Sequence, residues 1–121
     1  MYNNSFTVNI SNQIKSYKKS IHVDSDKSIS IRSFIIGATS LNISKVNNAL
    51  ESEDVFSCIT SLKRFGIKIS KTKAKQYLIF GKGLGSLKIK RNSSIDFGNS
   101  GTLARLLTGL LSTTPNIKVK I

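Results

Sequence analysis

Apolar positions along the chain change period several times, and each change marks an element. Residues 1–20 alternate loosely, with Phe6, Val8, Ile10 and then Ile14, and predict an opening strand and turn. Ile21 to Val23 is a short strand candidate. Asp24, Ser25 and Asp26 then offer oxygens to the free amides of a following helix. That helix is predicted from about Lys27 to Thr39, with Ile31, Phe34, Ile35 and Ala38 as its buried stripe. Leu41 to Asn47 reads as the next strand, though Ile43 and Val46 spoil its alternation. Glu51, Ser52, Glu53 and Asp54 open a second helix, where acidic side chains face unpaired amides. It continues through Val55, Ile59, Leu62 and Phe65 and stops at Gly66. Ile67 to Ser70 and Gln76 to Phe80 read as two strands joined by a lysine-rich turn. Gly81, Gly83 and Gly85 then break the chain. A new unit starts at Leu87 to Ile89 or at Ile95 to Phe97, with a helix from about Ser100 to Leu111. Pro115 marks a turn before Ile117 to Ile121, which alternates like a strand.

This order of strands and helices predicts an α/β chain. Its 121 residues support one domain and one modest core. The apolar fraction of 39% is mostly Ile and Leu, enough to fold. No stretch approaches the roughly 20 apolar residues of a membrane span, and the start lacks the basic leader and apolar block of a secretory signal. The only cysteine, Cys58, has no internal disulfide partner and reads as a small buried hydrophobe on a helix face. The only histidine, His22, reads as a strand residue. A catalytic role is its less economical reading, and with one His and one Cys no His/Cys metal cluster can be assembled; Glu51, Glu53 and Asp54 alone make a poor metal site.

The formal charge of +13 invites a nucleic-acid reading. The lysines, however, are spread along the chain. Their densest stretch, Lys68 to Lys75, has no interleaved aromatics for base stacking. Most of this charge therefore reads as solvated surface, and an anionic substrate would also gain from the positive field. A small basic nucleic-acid-binding module is the alternative from a different class. It requires steeply salt-dependent binding.

Two polar segments carry candidate chemistry. In Asp26-Lys-Ser-Ile-Ser-Ile-Arg32, Lys27 stands at the helix start, and Ser28 and Arg32 share one face at i, i+4. Free amides at that end attract phosphate or carboxylate. Lys27 adds a mobile point charge, Arg32 a rigid fork and Ser28 a hydroxyl donor. The bland reading is a capped amphipathic helix with a solvated polar face, and spacing alone favours it. In Asp96-Phe-Gly-Asn-Ser-Gly-Thr-Leu-Ala-Arg105, two glycines stand at a strand-to-helix turn and permit close ligand approach. Asn99 or Ser100 can cap the helix. A glycine-rich turn with an ordinary cap explains this segment equally well. Neither segment has the spacing of a P-loop or a dinucleotide fingerprint.

Asp26-Lys-Ser-Ile-Ser-Ile-Arg32 resembles the N-terminal signature of the 5-enolpyruvylshikimate-3-phosphate synthases, also called 3-phosphoshikimate 1-carboxyvinyltransferases. That signature is commonly Pro-Gly-(Ser/Asp)-Lys-Ser-x-Ser-x-Arg; here Asp24-Ser25 replaces Pro-Gly, which implies a looser turn. Asn48 to Val55, followed by Leu62 and Gly66, resembles the family's second helix, Leu-x-Ser-x-Asp-Val and onward. Gly98-Asn-Ser-Gly-Thr-Leu-Ala-Arg105 resembles its Gly-Asn-(Ser/Ala)-Gly-Thr-x-x-Arg signature. The resemblance covers roughly residues 20–121 and the first quarter to third of a family enzyme. It implies that Lys27, Ser28 and Arg32 bind shikimate 3-phosphate, and that Lys27, Asn99 and Gly101 bind phosphoenolpyruvate. Thr102 would shape the adjoining turn, Arg105 would support the loop and Asp54 would orient nearby side chains. The implied reaction transfers an enolpyruvyl group to the substrate 5-hydroxyl with release of phosphate, without cofactor or metal. Lys27 is the local candidate for transition-state electrostatics and proton transfer.

The resemblance also implies a fold of two similar domains built from β-α-β-α-β-β units, helices inward and sheets outward. One unit would span residues 21–86 and a second would start at 87 and continue to 121, incomplete. Residues 1–20 would belong with the opposite domain. The chain stops inside a strand candidate, which predicts a longer parent polypeptide: a cytoplasmic, monomeric enzyme of aromatic amino-acid biosynthesis. The 121 residues alone are expected to be inert, since the missing C-terminal domain holds the other wall of the cleft. The related UDP-N-acetylglucosamine enolpyruvyl transferases are the enzyme alternative. They typically carry Lys-Asn at the first site, so Ser28 argues against them.

Overall fold

The computed structural model describes residues 7–9, 20, 23–91 and 93–121. Phe6, Ile10, Ile14, Ile21 and His22 lie outside them, and with them most of the opening strand expected there. Val23 is described, and is in no strand. The elements that follow are α1 (Lys27–Thr39), β1 (Leu41–Val46), α2 (Glu53–Arg64), β2 (Lys68–Lys73), β3 (Gln76–Lys82), β4 (Ser93–Ser94), α3 (Gly101–Ser112) and β5 (Val119–Lys120).

β1, β3 and β2 form an antiparallel sheet in that order, and β4 pairs with β5 in a short parallel ladder across α3. In β3, Tyr77 and Ile79 are buried toward the helices while Leu78 and Phe80 are half-covered on the outer face. Register places Ser44 and Val46 of β1 beside Ile79 and Tyr77. It places Ile43 beside Phe80, which leaves Ile43 and Leu41 exposed. The period of two thus decides which side chains meet α1.

α1 rides directly on the sheet. A β-carbon at Gly37 would lie 2.8 Å from Ile79 Cδ1 and 3.3 Å from Ser44 Cβ. A β-carbon at Gly81 would collide with the carbonyl oxygens of Gly37 and Ser40. Gly81 is therefore a contact residue within β3, not the chain break expected of it. Ile31, Phe34 and Ala38 of α1, Val55, Cys58 and Leu62 of α2, and Leu103, Leu107 and Leu111 of α3 fill one core with Ile69, Tyr77 and Ile79. Phe34 meets Tyr77 edge to face, 5.2 Å between centroids. Ile35 is only half-covered; Ser30 and Gly37 are buried in α1 as well.

α2 ends as expected at Gly66, at φ +86°. Gly66 N donates to Lys63 O and Ile67 N to Leu62 O, the paired bonds of a Schellman cap, and Lys82 Nζ donates to Gly66 O at 2.7 Å. The lysine-rich turn is shorter than expected, because β2 runs on to Lys73. Lys68 Nζ lies 4.8 Å from the centre of the Phe80 ring and Lys71 Nζ 5.9 Å from that of Tyr77. Leu87 to Ile89 forms no strand, although Leu87 is buried in the common core. The strand expected at Ile95 to Phe97 falls just before it, at Ser93–Ser94, with Ile95 N donating to Lys120 O. Ile117 to Ile121 contributes only Val119–Lys120. Among the described residues, no helix is long and apolar enough to cross a membrane.

Candidate anion-binding site at two helix mouths

The first mouth is made by the start of α1. Asp26 is the N-cap, and its Oδ1 accepts from Ile29 N at 2.7 Å. Ser30 N bonds back to Asp26 O. Among the described residues, the amides of Lys27 and Ser28 make no hydrogen bond, so they face outward with the positive end of the helix dipole. Lys27 and Arg32 are exposed and Ser28 is half-buried.

Lys27 Nζ lies 2.7 Å from Asp54 Oδ2, in the first turn of α2. That meeting is prepared by the loop between β1 and α2. Ser30 Oγ accepts from Leu50 N at 2.9 Å, Ala49 N donates to Lys75 O, and Glu51 Oε1 accepts from Lys75 N and Tyr77 Oη. Lys71 Nζ reaches the same oxygen at 2.8 Å. Glu51 therefore does not open the second helix, as its position in an acidic run suggests; Ser52 is the N-cap and α2 begins at Glu53. The Lys71 and Tyr77 bonds, aided by the Lys75 amide, hold the Glu51 carboxyl down at about 2. Burial, with Glu51 beside it, pushes the Tyr77 hydroxyl up to about 12. No local pattern around Glu51 signals this role, since its partners stand 20–26 residues away.

The second mouth is shaped by the backbone. Asp96 Oδ1 accepts from Gly98 N at 2.8 Å, and Gly98 adopts φ +58°. Ser100 is buried and caps α3, its Oγ accepting from Leu103 N at 3.3 Å. Ile95 and Phe97 anchor the turn in the core. Asn99 and Gly101 stand exposed at the mouth, and Thr102 is half-buried. Arg105 folds its guanidinium back along α3, so that a β-carbon at Gly101 would lie 3.9 Å from it.

Among the described residues no hydrogen bond or ion pair joins the site residues of the two mouths, although α1 and α3 pack on each other. α2 reaches both mouths: Asp54 holds Lys27, and Ser57, three residues on and so on the same face, lies against Gly98, where a β-carbon would come within 3.0 Å of Ser57 Oγ. A shallow groove of about 360 Å³ beside Asp96 and Gly98 is lined by Glu53, Phe56, Ser57 and Thr60 of α2. Cys58, on the opposite side of that helix, is buried, and burial pushes its thiol up to about 12, far from reactive thiolate. Among the described residues no three His, Cys, Asp or Glu side chains come together as a metal site would require.

Two helix mouths with basic side chains thus both meet the first two turns of α2, and their open amides and cations suit them to anions. The family model for EPSP synthase (3-phosphoshikimate 1-carboxyvinyltransferase) matches residues 11–120. The chain belongs to the EPSP synthase family. A 3-phosphoshikimate 1-carboxyvinyltransferase from Magnetococcus marinus is 46% identical over 90 residues, which are 74% of this chain and 20% of that protein. One from Ruegeria sp. (strain TM1040) is 39% identical over 98 residues, 81% of this chain and 22% of the relative. The solved EPSP synthase from Acinetobacter baumannii superposes with a TM-score of 0.68 at 36% identity, over 76% of this chain and 21% of its own. The chain thus spans about a fifth of the length of these EPSP synthase relatives, and its α/β architecture is that of the matching part of the family fold.

Proposed function

We propose that this chain forms the N-terminal wall of an enzyme that transfers the enolpyruvyl group of phosphoenolpyruvate to the 5-hydroxyl of shikimate 3-phosphate. The observation that carries the proposal is positional. The family's Lys-Ser-x-Ser-x-Arg and Gly-Asn-Ser-Gly-Thr-x-x-Arg signatures stand at the mouths of α1 and α3, with the first two turns of α2 touching both. Lys27, Ser28 and Arg32 bind shikimate 3-phosphate. Lys27, Asn99 and Gly101 bind phosphoenolpyruvate, while Thr102 and Arg105 hold the second mouth in shape.

In the reaction, the 5-hydroxyl oxygen adds to C2 of phosphoenolpyruvate as C3 takes up a proton. Loss of the proton from C3 then expels inorganic phosphate and restores the double bond. Two polyanions must approach each other, and the helix dipoles with Lys27 and Arg32 offset their repulsion. No cofactor is needed. The hydroxyl base and the remaining groups of the cleft come from further parts of the parent polypeptide, which we place in the cytoplasm as a two-domain monomer of β-α-β-α-β-β units, with units dividing near residues 86 and 87.

Titration of the labelled chain with shikimate 3-phosphate and with phosphoenolpyruvate tests this. Amide shifts are expected at 27–32 for the first and at 27 and 99–102 for the second. Saturating ligand with no shift at either mouth overturns the assignment. The chain alone is expected to release no phosphate from the substrate pair; release above the uncatalysed background overturns that part.

A further inference from the structure

We infer that the outer face of the β1-β3-β2 sheet docks a partner protein, through an acidic segment that also carries apolar side chains. This face lies opposite the helices and takes no part in the anion-site reading above. Strand register decides its composition. Leu41 stands beside Lys82, Ile43 beside Phe80, and Phe80 beside Lys68; Lys45 stands beside Leu78, and Leu78 beside Ser70. Partners across a ladder share a face. Tyr77 and Ile79 occupy the other one, in the core. Leu41 is 74% exposed and Ile43 59%. With half-covered Leu78 and Phe80 they make a contiguous apolar patch, unlike apolar residues scattered singly over a surface.

Charge is divided unevenly over the molecule. All six acidic residues, Asp24, Asp26, Glu51, Glu53, Asp54 and Asp96, lie at or just before the starts of helices. The three strands of the sheet carry Lys45, Lys68, Lys71, Lys73 and Lys82 and no carboxylate. The positive field is therefore partly cancelled at the helix mouths and uncancelled over the sheet. An anionic substrate at the mouths accounts for the cations there and leaves these lysines unexplained. Lys71 is paired with Glu51. Among the described residues, Lys45, Lys68 and Lys82 meet no Asp or Glu: Lys68 lies over the Phe80 ring and Lys82 donates to Gly66 O. Each of these ammoniums has three donors, so each keeps some for an incoming carboxylate.

Interleaving decides the class of partner. Cations and apolar groups alternate from strand to strand at about 5 Å. A partner must offer carboxylates and apolar groups on the same scale, as an acidic amphipathic polypeptide does. A bilayer takes apolar groups below and cations above. Here, inserting Phe80 or Leu78 would carry Lys68 or Lys45 down with it. Single-stranded nucleic acid stacks on open aromatic faces. Phe80 is the aromatic residue of this face, and Lys68 Nζ covers its ring at 4.8 Å. A second copy of the chain would set lysines against lysines. Residues 1–22 bring Lys15, Lys18 and Lys19 and no carboxylate, so their charge does not complement the face either.

The test uses the isotope-labelled 121-residue chain and a synthetic amphipathic peptide of glutamate and leucine. Saturable amide shifts are expected at 41–45, 68–70 and 78–82, with 27–32 and 99–102 unmoved. Lys45→Glu replaces an attraction by a repulsion and is expected to weaken the peptide about threefold to tenfold. Ile43→Ser is expected to weaken it about threefold to fivefold, by loss of buried apolar area. Both side chains are exposed, so the unfolding midpoints are expected to stay near that of the parent chain. Lys120→Glu, the same charge change on β5, is expected to alter affinity less than about twofold. An equal loss in Lys120→Glu reduces the attraction to diffuse charge and overturns the inference. So does an all-glutamate peptide that binds as tightly as the amphipathic one. Tighter binding of a thymidine oligonucleotide or of phosphatidylglycerol vesicles at 41–45 and 78–82 overturns it in favour of those partners. Self-association of the free chain through the same residues, or peptide shifts absent from the sheet, also overturns it.

Discussion

The two helix mouths solve one problem by different means. At α1 the site is made of charge: Lys27 and Arg32 project from a helix capped by Asp26, and Asp54 reaches across from α2 to hold the lysine. At α3 the site is made of backbone: Gly98 turns left-handed, Gly101 leaves room beside Arg105, and Ser100 is buried as the cap. The first mouth depends on side chains that can be exchanged without moving the chain. The second depends on a left-handed turn that glycine adopts without steric cost. Substitutions at the first are therefore expected to appear mainly in binding, and at the second in folding and binding together.

The sharpest break of that contrast is Lys27→Ala. On the proposed function it removes charge-assisted bonds to ligand, worth about 1.5–3 kcal/mol, and is expected to weaken shikimate 3-phosphate binding roughly tenfold to a hundredfold. Its urea midpoint is expected to stay close to that of the parent chain, since Lys27 is exposed. An equal loss of stability and affinity would erase the distinction between the mouths. Gly98→Val comes next. A branched side chain at φ +58° and against Ser57 is expected to cost about 1–2 kcal/mol of stability, read from urea denaturation. It also displaces the turn, so phosphoenolpyruvate shifts at 99–102 are expected to vanish while those of shikimate 3-phosphate at 28–32 persist.

The caps give a smaller effect. Ser100→Ala and Asp26→Ala each lose one amide bond at a helix start, about 1 kcal/mol apiece by thermal or urea denaturation. Here the two mouths are expected to agree, because capping is common to both. The smallest effect is the pH response of the Glu51 network that positions α2. The folded carboxyl sits at about 2, below its ordinary 4.5, so its contribution is complete above 4.5 and fades as pH falls toward 2. The melting-temperature gap between the parent chain and Glu51→Gln is expected to hold steady above 4.5 and to close below it. A gap that widens in acid would reverse the assignment.

Local chemistry was legible in the sequence wherever an element carries its own signals. The bounds of α1 follow from Asp26 and from the spacing of Ile31, Phe34 and Ala38. The end of α2 follows from Gly66, which relieves the steric penalty of a left-handed residue. The errors lie where the deciding partner is distant. Gly81 looked like a breaker because the carbonyls of Gly37 and Ser40, about forty residues earlier, are invisible to a local window. The lysine-rich turn was expected to begin after Ser70. Lys71 and Lys73 are instead strand residues, with the Lys71 charge over Tyr77 and against Glu51, and only Ala74 and Lys75 turn. The short parallel pair of Ser93–Ser94 with Val119–Lys120 has too few residues to declare a period of two.

The sequence by itself determined the helix mouths, their cations and the family to which the chain belongs, because capping residues, glycines and signature spacings act within a few residues. Only the tertiary structure decided that α2 reaches both mouths, with Asp54 on Lys27 and Ser57 on Gly98. Those contacts join residues 27 and 41 positions apart. They exist because the core seats three helices together and because Ser30 and Glu51 fix the place where α2 begins.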